Sequence, residues 1–427
     1  MNKNSTKKRL KYEETPYFHA LSQKERDFLL EAAQKYRFSL QTFRQIAEIA
    51  VDLRQWGEPG IASVFPHHLQ NSYQGKKLQS MILSDLKQKW QRLKEHPTAY
   101  RSESHNNYRA ESFKITATQK EHVGFGMCPV ASAKTRCCNL LTLDAVESCG
   151  FDCSYCSIQS FYNENRIVFD TNFEEKLQNL QIDPDEIYHI GTGQSSDSLM
   201  WGNRYGVLDA LVAFAKKHPN VILELKTKSK NIDYLLKHEI PPNIIVTWSL
   251  NPQIVIDHEE HLTASLDERI NAARAVADKG ILVGFHFHPM IHIEKWREEY
   301  GAVFARLLKE FDASEVILVS LGTLTFIKPV IKKIRQRDFK SKILQIPLVD
   351  AGGKLSYPLD IKREMFKFAY ESLSPWHKKV FFYMCMEDHS LWRDVFGYAY
   401  PTNESFENDM KLFYMNKITR HQSPTSR

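Results

Sequence analysis

The segment Cys149-Gly-Phe-Asp-Cys153-Ser-Tyr-Cys156 sets three thiols in C-x3-C-x2-C spacing. Three thiolates on one tight loop can each bind one iron of a 4Fe–4S cubane, which leaves the fourth iron without a protein ligand. The amino and carboxylate groups of S-adenosylmethionine (SAM) can chelate an iron of that kind. An electron from the cluster can then break the carbon–sulfur bond and yield a 5′-deoxyadenosyl radical, with the protein supplying position and shielding. Gly150 is expected to let the loop bend tightly. The alternative is a structural zinc site, which needs a fourth ligand from His122 or Cys138. The chain has seven cysteines, an odd number, and this clustering argues for metal rather than disulfides. Of the others, Cys137 and Cys138 read as small apolar residues at the start of a strand, and Cys385 as part of a terminal strand.

The loop needs a frame, and the following sequence supplies one. Apolar runs alternate with amphipathic helices: strands at 139–144, 186–193, 221–228, 243–250, 281–288 and 315–322, with helices near 204–217, 265–280, 294–310 and 326–338. Six such units in a row predict parallel strands with right-handed crossovers. Six are too few to close an eight-unit barrel. The expected fold is therefore α/β, a partial, open, six-stranded parallel β/α barrel over 113–345. Residues 1–112 form an N-terminal helical extension, in which Ser22 and Glu25 make a capping box. Residues 346–427 form a C-terminal α+β addition with a helix near 361–373 and a strand at 379–387.

Composition narrows the class. Hydrophobic residues are 42% of the 427, and aromatics 12%, which suits a packed globule and excludes a disordered chain. No run of 18 apolar residues occurs, so no membrane partner is expected. The basic start MNKNSTKKRLKYEE has no apolar stretch behind it, so a cytoplasmic location is expected. A net charge of +6 permits a polyanionic partner without demanding one.

At the cysteine motif the chain resembles the radical SAM superfamily, and more narrowly the spore photoproduct lyase family of DNA repair enzymes. The resemblance covers about 137–400 and includes Thr227-Lys228, Trp248-Ser249-Leu250-Asn251, the string DHEEHLTASLDERI and GFHFHPMIHIEKWREEY. It implies that Cys149, Cys153 and Cys156 hold the cluster. It implies SAM contacts from Ser196, Asp197, Lys228, Ser249 and Asn251, all at carboxyl ends of strands, where βα folds place ligands. It further implies damaged DNA as a partner and an electron donor such as ferredoxin or flavodoxin. Two positions depart from the family. Its hydrogen-returning cysteine is replaced by Gln194, and the tyrosine after its third cluster cysteine by Ser157, while Tyr155 remains. An amide does not give a hydrogen atom to a carbon radical. On these residues the protein should cleave SAM yet repair a thymine dimer poorly, unless Tyr155 or Cys385 substitutes.

Other features have ordinary readings beside functional ones. His286 and His288 share a face of their strand and suit either a ligand contact or a satisfied core. The basic run 328–342 suits a phosphate backbone or a solvated helix face. Trp392, Tyr398 and Tyr400 suit stacking on an extruded base or core packing. The reading adopted is a spore-photoproduct-lyase-like radical SAM enzyme, possible substrates being a pyrimidine lesion in DNA or an RNA, peptide or metabolite. A structural metal-binding protein is the weaker alternative.

Overall fold

The computed structural model describes residues 11–101, 112–121, 124–128, 134–157 and 166–422. The chain forms two compact units: Met1–Tyr108 with Phe326–Leu348, and Arg109–Thr325 with Val349–Arg427. The sequence division sets 326–345 in the barrel, whereas here Phe326–Leu348 groups with the N-terminal helices.

The smaller unit is helical. Ser22 caps the helix Gln23–Lys35 in the expected box with Glu25. The amphipathic pattern runs on into Leu40–Trp56, but Arg37 takes φ 56° and Ser39 caps afresh, so one pattern yields two helices. Leu29, Phe43, Ile46, Ala50, Ile82 and Leu86 share its core. The basic run becomes the helix Lys328–Gln336, with Val330, Ile331 and Ile334 buried. Arg335 donates to both carboxylate oxygens of Asp52 at 2.7 and 2.8 Å, with Glu48 alongside. Part of this helix's charge is thus used in packing rather than displayed to solvent.

The larger unit is built on one eight-stranded sheet. Its strands are β1 (Gly124–Met127), β2 (Leu141–Asp144), β3 (Tyr188–Thr192), β4 (Val221–Thr227), β5 (Ile244–Ser249), β6 (Val283–Met290), β7 (Val316–Thr323) and β8 (Phe381–Met384). They lie in chain order across the sheet. β1 and β2 are antiparallel, and every pair from β2 to β8 is parallel. β4, β5 and β7 are buried along nearly their whole length, as expected of parallel strands covered on both faces. The open parallel barrel is therefore present, and the strand expected in the C-terminal addition extends it as β8. Its Phe381, Phe382, Tyr383 and Met384 are all buried, so it fits the sheet better than it would fit a solvated appendage.

The gap between the first and last strands is laced by the C-terminal segment. Thr135 bridges Asp388, and His389 N–H donates to the Lys134 carbonyl. Arg136 donates to the carbonyls of Tyr400 and Pro401 at 2.8 and 2.7 Å. Asn139 donates to Glu407 at 2.7 Å. The helix Asn403–His421 sets Phe406 and Tyr414 against Phe381. Trp392 is fully buried against Phe396, Tyr398, Tyr400 and Phe406 and belongs to the core, whereas Tyr398 is exposed and Tyr400 partly buried.

Candidate active site

The cysteine loop follows β2, as its spacing predicts. It is gripped from outside. Asp152–Cys153 pairs antiparallel with Glu260–His261, and Ser154 N–H donates to the Glu259 carbonyl at 2.8 Å. Ser154 Oγ donates to the Glu259 carboxylate, and Tyr155 Oη to that of Glu260. The polar string DHEEHLTASLDERI thus braces the loop. Glu260 lies at the centre of the brace: Asn251 Nδ2 donates to its Oε1 at 2.8 Å, and Arg269 Nη1 lies 2.7 Å from its Oε2. Burial would raise its pKa, but Arg269 and Lys228 more than offset this and hold it at about 2. Arg269, fully buried, also donates to the carbonyls of Ala264 and Ser249.

Gly150 has a different reason from the expected one. Its φ is not positive; the left-handed residue of the loop is Ser148, at φ 70°. A Cβ on Gly150 would stand 2.5 Å from Met200 Cε and 2.9 Å from Trp201 Cη2. The glycine is needed for close approach of the 200–201 turn, and Met200 Sδ lies 4.0 Å from Cys149 Sγ.

The side chains fit a cluster. Cys153 is buried, and Cys149 and Cys156 are partly buried beside it. Burial pushes the Cys149 thiol up to about 12, and that of Cys153 well above its usual range. Ligation has to remove these protons, as thiolate coordination does. Lys228 brings a cation to the same place. Its Nζ lies 5.6 Å from the centroid of the Tyr155 ring. Burial would lower its pKa, yet Cys153 and Glu260 raise it, so it stays charged. A zinc ion would need donors converging on one point, and among the described residues no group of three or more His, Cys, Asp or Glu does so. A cubane takes one thiolate per iron, so its three thiols stand further apart than the ligands of a single ion. His122, the other zinc candidate, lies outside the described residues.

The remaining expected contacts sit at the strand ends but differ in how far their side chains are engaged. Asp197 is buried and accepts from Thr227 Oγ1 (2.7 Å), Lys228 N (2.7 Å), Leu199 N (3.0 Å) and Met200 N (2.9 Å). Asn251 accepts from Tyr300 Oη at 2.8 Å while donating to Glu260. Ser196 Oγ accepts from Trp201 Nε1 at 3.2 Å. The Ser249 carbonyl is held by Arg269. Gly193 has φ 86°, and a Cβ there would meet Ser198 Oγ at 2.7 Å and the Lys226 carbonyl at 2.9 Å. Gln194 is partly buried and lines a cavity rather than facing the cluster loop alone. Ser157 is exposed.

Deeper in the barrel, Glu224 accepts from His189 (2.8 Å), His286 (2.7 Å) and Thr247 (2.7 Å). Burial lowers the pKa of His286 to about 4, so a neutral ring donates from Nε2 and accepts from Ser320 Oγ at Nδ1, 2.6 Å away. His286 is thus a satisfied core histidine. Sequence reasoning missed Glu259, Glu260, Arg269 and Tyr300, although the string carrying the first three stood out for its polarity.

Residues 140–347 match the family model "Spore photoproduct lyase". Over this region the chain is similar to spore photoproduct lyases. Spore photoproduct lyase of Geobacillus sp. (strain Y412MC61) is 25% identical over 202 residues, covering 46% of this chain and 59% of the relative. That of Clostridium acetobutylicum is 27% identical over 232 residues, covering 53% and 64%. The chain thus spans about three-fifths of the length of these curated relatives. A solved spore photoproduct lyase double mutant with bound AdoMet and dinucleoside spore photoproduct has TM-score 0.55 at 20% identity. The match covers 66% of this chain and 89% of that one, and it supports the open-barrel fold. Among the described residues no helix is long and apolar enough to cross a membrane.

Proposed function

We propose that this protein is a radical SAM enzyme of lyase type that acts on a pyrimidine lesion in DNA. The observation that carries the reading is Lys228, a charged side chain brought by β4 to the three thiols of a family-matched cysteine loop. When bound, the cluster and SAM would supply reductive cleavage to an adenosyl radical. Cys149, Cys153 and Cys156 would hold the cluster, and the Lys228 ammonium would receive the SAM carboxylate. Ser196 and Ser249 would add short polar contacts. Asp197 and Asn251 would act mainly by position: Asp197 ties Lys228 to the 197–200 turn, and Asn251 orients Glu260 beneath Tyr155. Gln194 would face the substrate side. A solved spore photoproduct lyase holds the dinucleoside spore photoproduct, which is the natural first substrate to try.

A second reading, a different substrate class, is favoured by Gln194 and Ser157, because neither returns a hydrogen atom. The two separate in one experiment. The reconstituted, reduced protein is incubated with SAM and either the dinucleoside lesion or the undamaged dinucleotide. Faster 5′-deoxyadenosine formation with the lesion alone supports the lyase reading; equal rates with both favour another substrate.

A further inference from the structure

Cys128, Cys137, Cys138 and Cys385 are scattered in sequence, yet all four line one cavity together with Gln194 and Lys226. The backbone explains the convergence. Cys128 N–H donates to the Leu140 carbonyl beside β2, and Cys385 N–H to the Leu321 carbonyl of β7. The Thr135–Asp388 bridge then draws the segment entering β2 against the segment leaving β8. The cavity therefore sits in the laced gap of the barrel, between its first and last strands. Cys137 and Cys138 are hydrogen-bonded to each other, and that contact lowers the Cys137 pKa to about 6. The pair is poised as thiolate and thiol. As plain apolar packing, four partly buried thiols around a cavity with a lysine and a glutamine would be a poor choice.

We propose that this cavity is the protein's thiol hydrogen-donor site, in which Cys385 delivers a hydrogen atom to the product radical and Cys138 with Cys137 restores it. The proposal rests on the radical lyase reading above. It resolves the difficulty posed by Gln194, because the missing thiol is supplied across the same cavity. In the first step the Cys385 S–H bond breaks and a C–H bond forms on the product, leaving a sulfur radical on Cys385. Cys138 S–H then returns a hydrogen atom to Cys385. The Cys138 sulfur radical combines with the Cys137 thiolate into a disulfide radical anion. This passes one electron to an oxidised iron–sulfur carrier, leaving a Cys137–Cys138 disulfide, which a dithiol reductant reopens.

The test is a single turnover of the reconstituted full-length protein with SAM and dinucleoside spore photoproduct in D2O. Deuterium in the thymine product is counted per 5′-deoxyadenosine formed, and alkylated peptides report oxidation at Cys137–Cys138. Wild type should deliver deuterium and show the disulfide. Cys385→Ala should lower deuterium per 5′-deoxyadenosine at least about tenfold. Adding Gln194→Cys to that variant should restore labelling, since the new thiol opens into the same cavity. Independently of turnover, the Cys149→Ala/Cys153→Ala/Cys156→Ala variant, which lacks the cluster thiols, should bind phenylarsine oxide, which bridges paired thiols, and adding Cys137→Ser should abolish this. If 5′-deoxyadenosine forms but labelling is the same in wild type and Cys385→Ala, the thiol proposal alone is overturned. If no 5′-deoxyadenosine forms, the lyase reading falls and this proposal with it. Failure to bind the arsenical contradicts the thiol pair whatever the activity.

Discussion

In the proposed reading, Lys228 is the residue on which SAM binding would turn most sharply. One charge-assisted contact to a carboxylate contributes roughly 1.5–3 kcal/mol, about 10- to 100-fold in affinity. Lys228→Ala should therefore weaken SAM binding to the reconstituted protein by that factor in equilibrium dialysis while its iron content holds. Unchanged affinity would remove Lys228 from the site. Asp197 behaves differently, because its four acceptances are all internal. Asp197→Asn keeps the shape but loses acceptor capacity, so its effect should appear as lowered stability as well as lowered affinity. The cysteine motif was legible in the sequence because its ligands are local. Glu260 and Arg269 were visible only as an unusual polar string, because their partners come from the cysteine loop and from β5. The purpose of Gly150 was misjudged for a similar reason: what it must clear is Met200 and Trp201, about fifty residues on.

At the scale of elements, the strand–helix rhythm was legible because each unit carries its own periodicity. The place of β8 was not, since nothing in KVFFYMCME says which strand it will join. The break at Arg37–Ser39 was hidden inside one continuous apolar pattern. The brace on the cysteine loop makes an element-level prediction. Arg269→Ala leaves Glu260 buried without its cation, and losing one partner of a buried pair costs about 3–5 kcal/mol. An unfolding free energy lowered by that amount is expected in denaturant titration; an unchanged value would mean that the brace is dispensable. The helical unit offers a test in pH. Burial lowers Lys94, which sits 3.7 Å from the Trp90 ring centroid, from 10.5 to about 8. Between those values the folded state holds fewer protons than the unfolded, so stability rises with pH across the window and is lowest below it. Lys94→Met should remove a rise on the order of 1–3 kcal/mol between about pH 7 and pH 10. Equal pH profiles for the two proteins would contradict a depressed Lys94.

At the scale of the molecule, the open barrel, the braced thiol loop and the laced gap together support the proposed radical enzyme. The fold was largely readable and the cysteine loop stood out as a local motif, but the four-cysteine cavity was hardly legible, because its members meet only when the last strand closes on the first. The most direct measurement of the central claim is anaerobic reconstitution with iron and sulfide, followed by dithionite reduction and assay of SAM. Wild type should bind about four iron and four sulfide per chain, show an oxygen-sensitive brown absorption and form 5′-deoxyadenosine. Cys149→Ala, Cys153→Ala and Cys156→Ala should each lose both, while Cys128→Ala keeps the cluster. A wild-type protein that takes up stoichiometric zinc and no iron, or holds the cluster yet leaves SAM intact, would contradict the account.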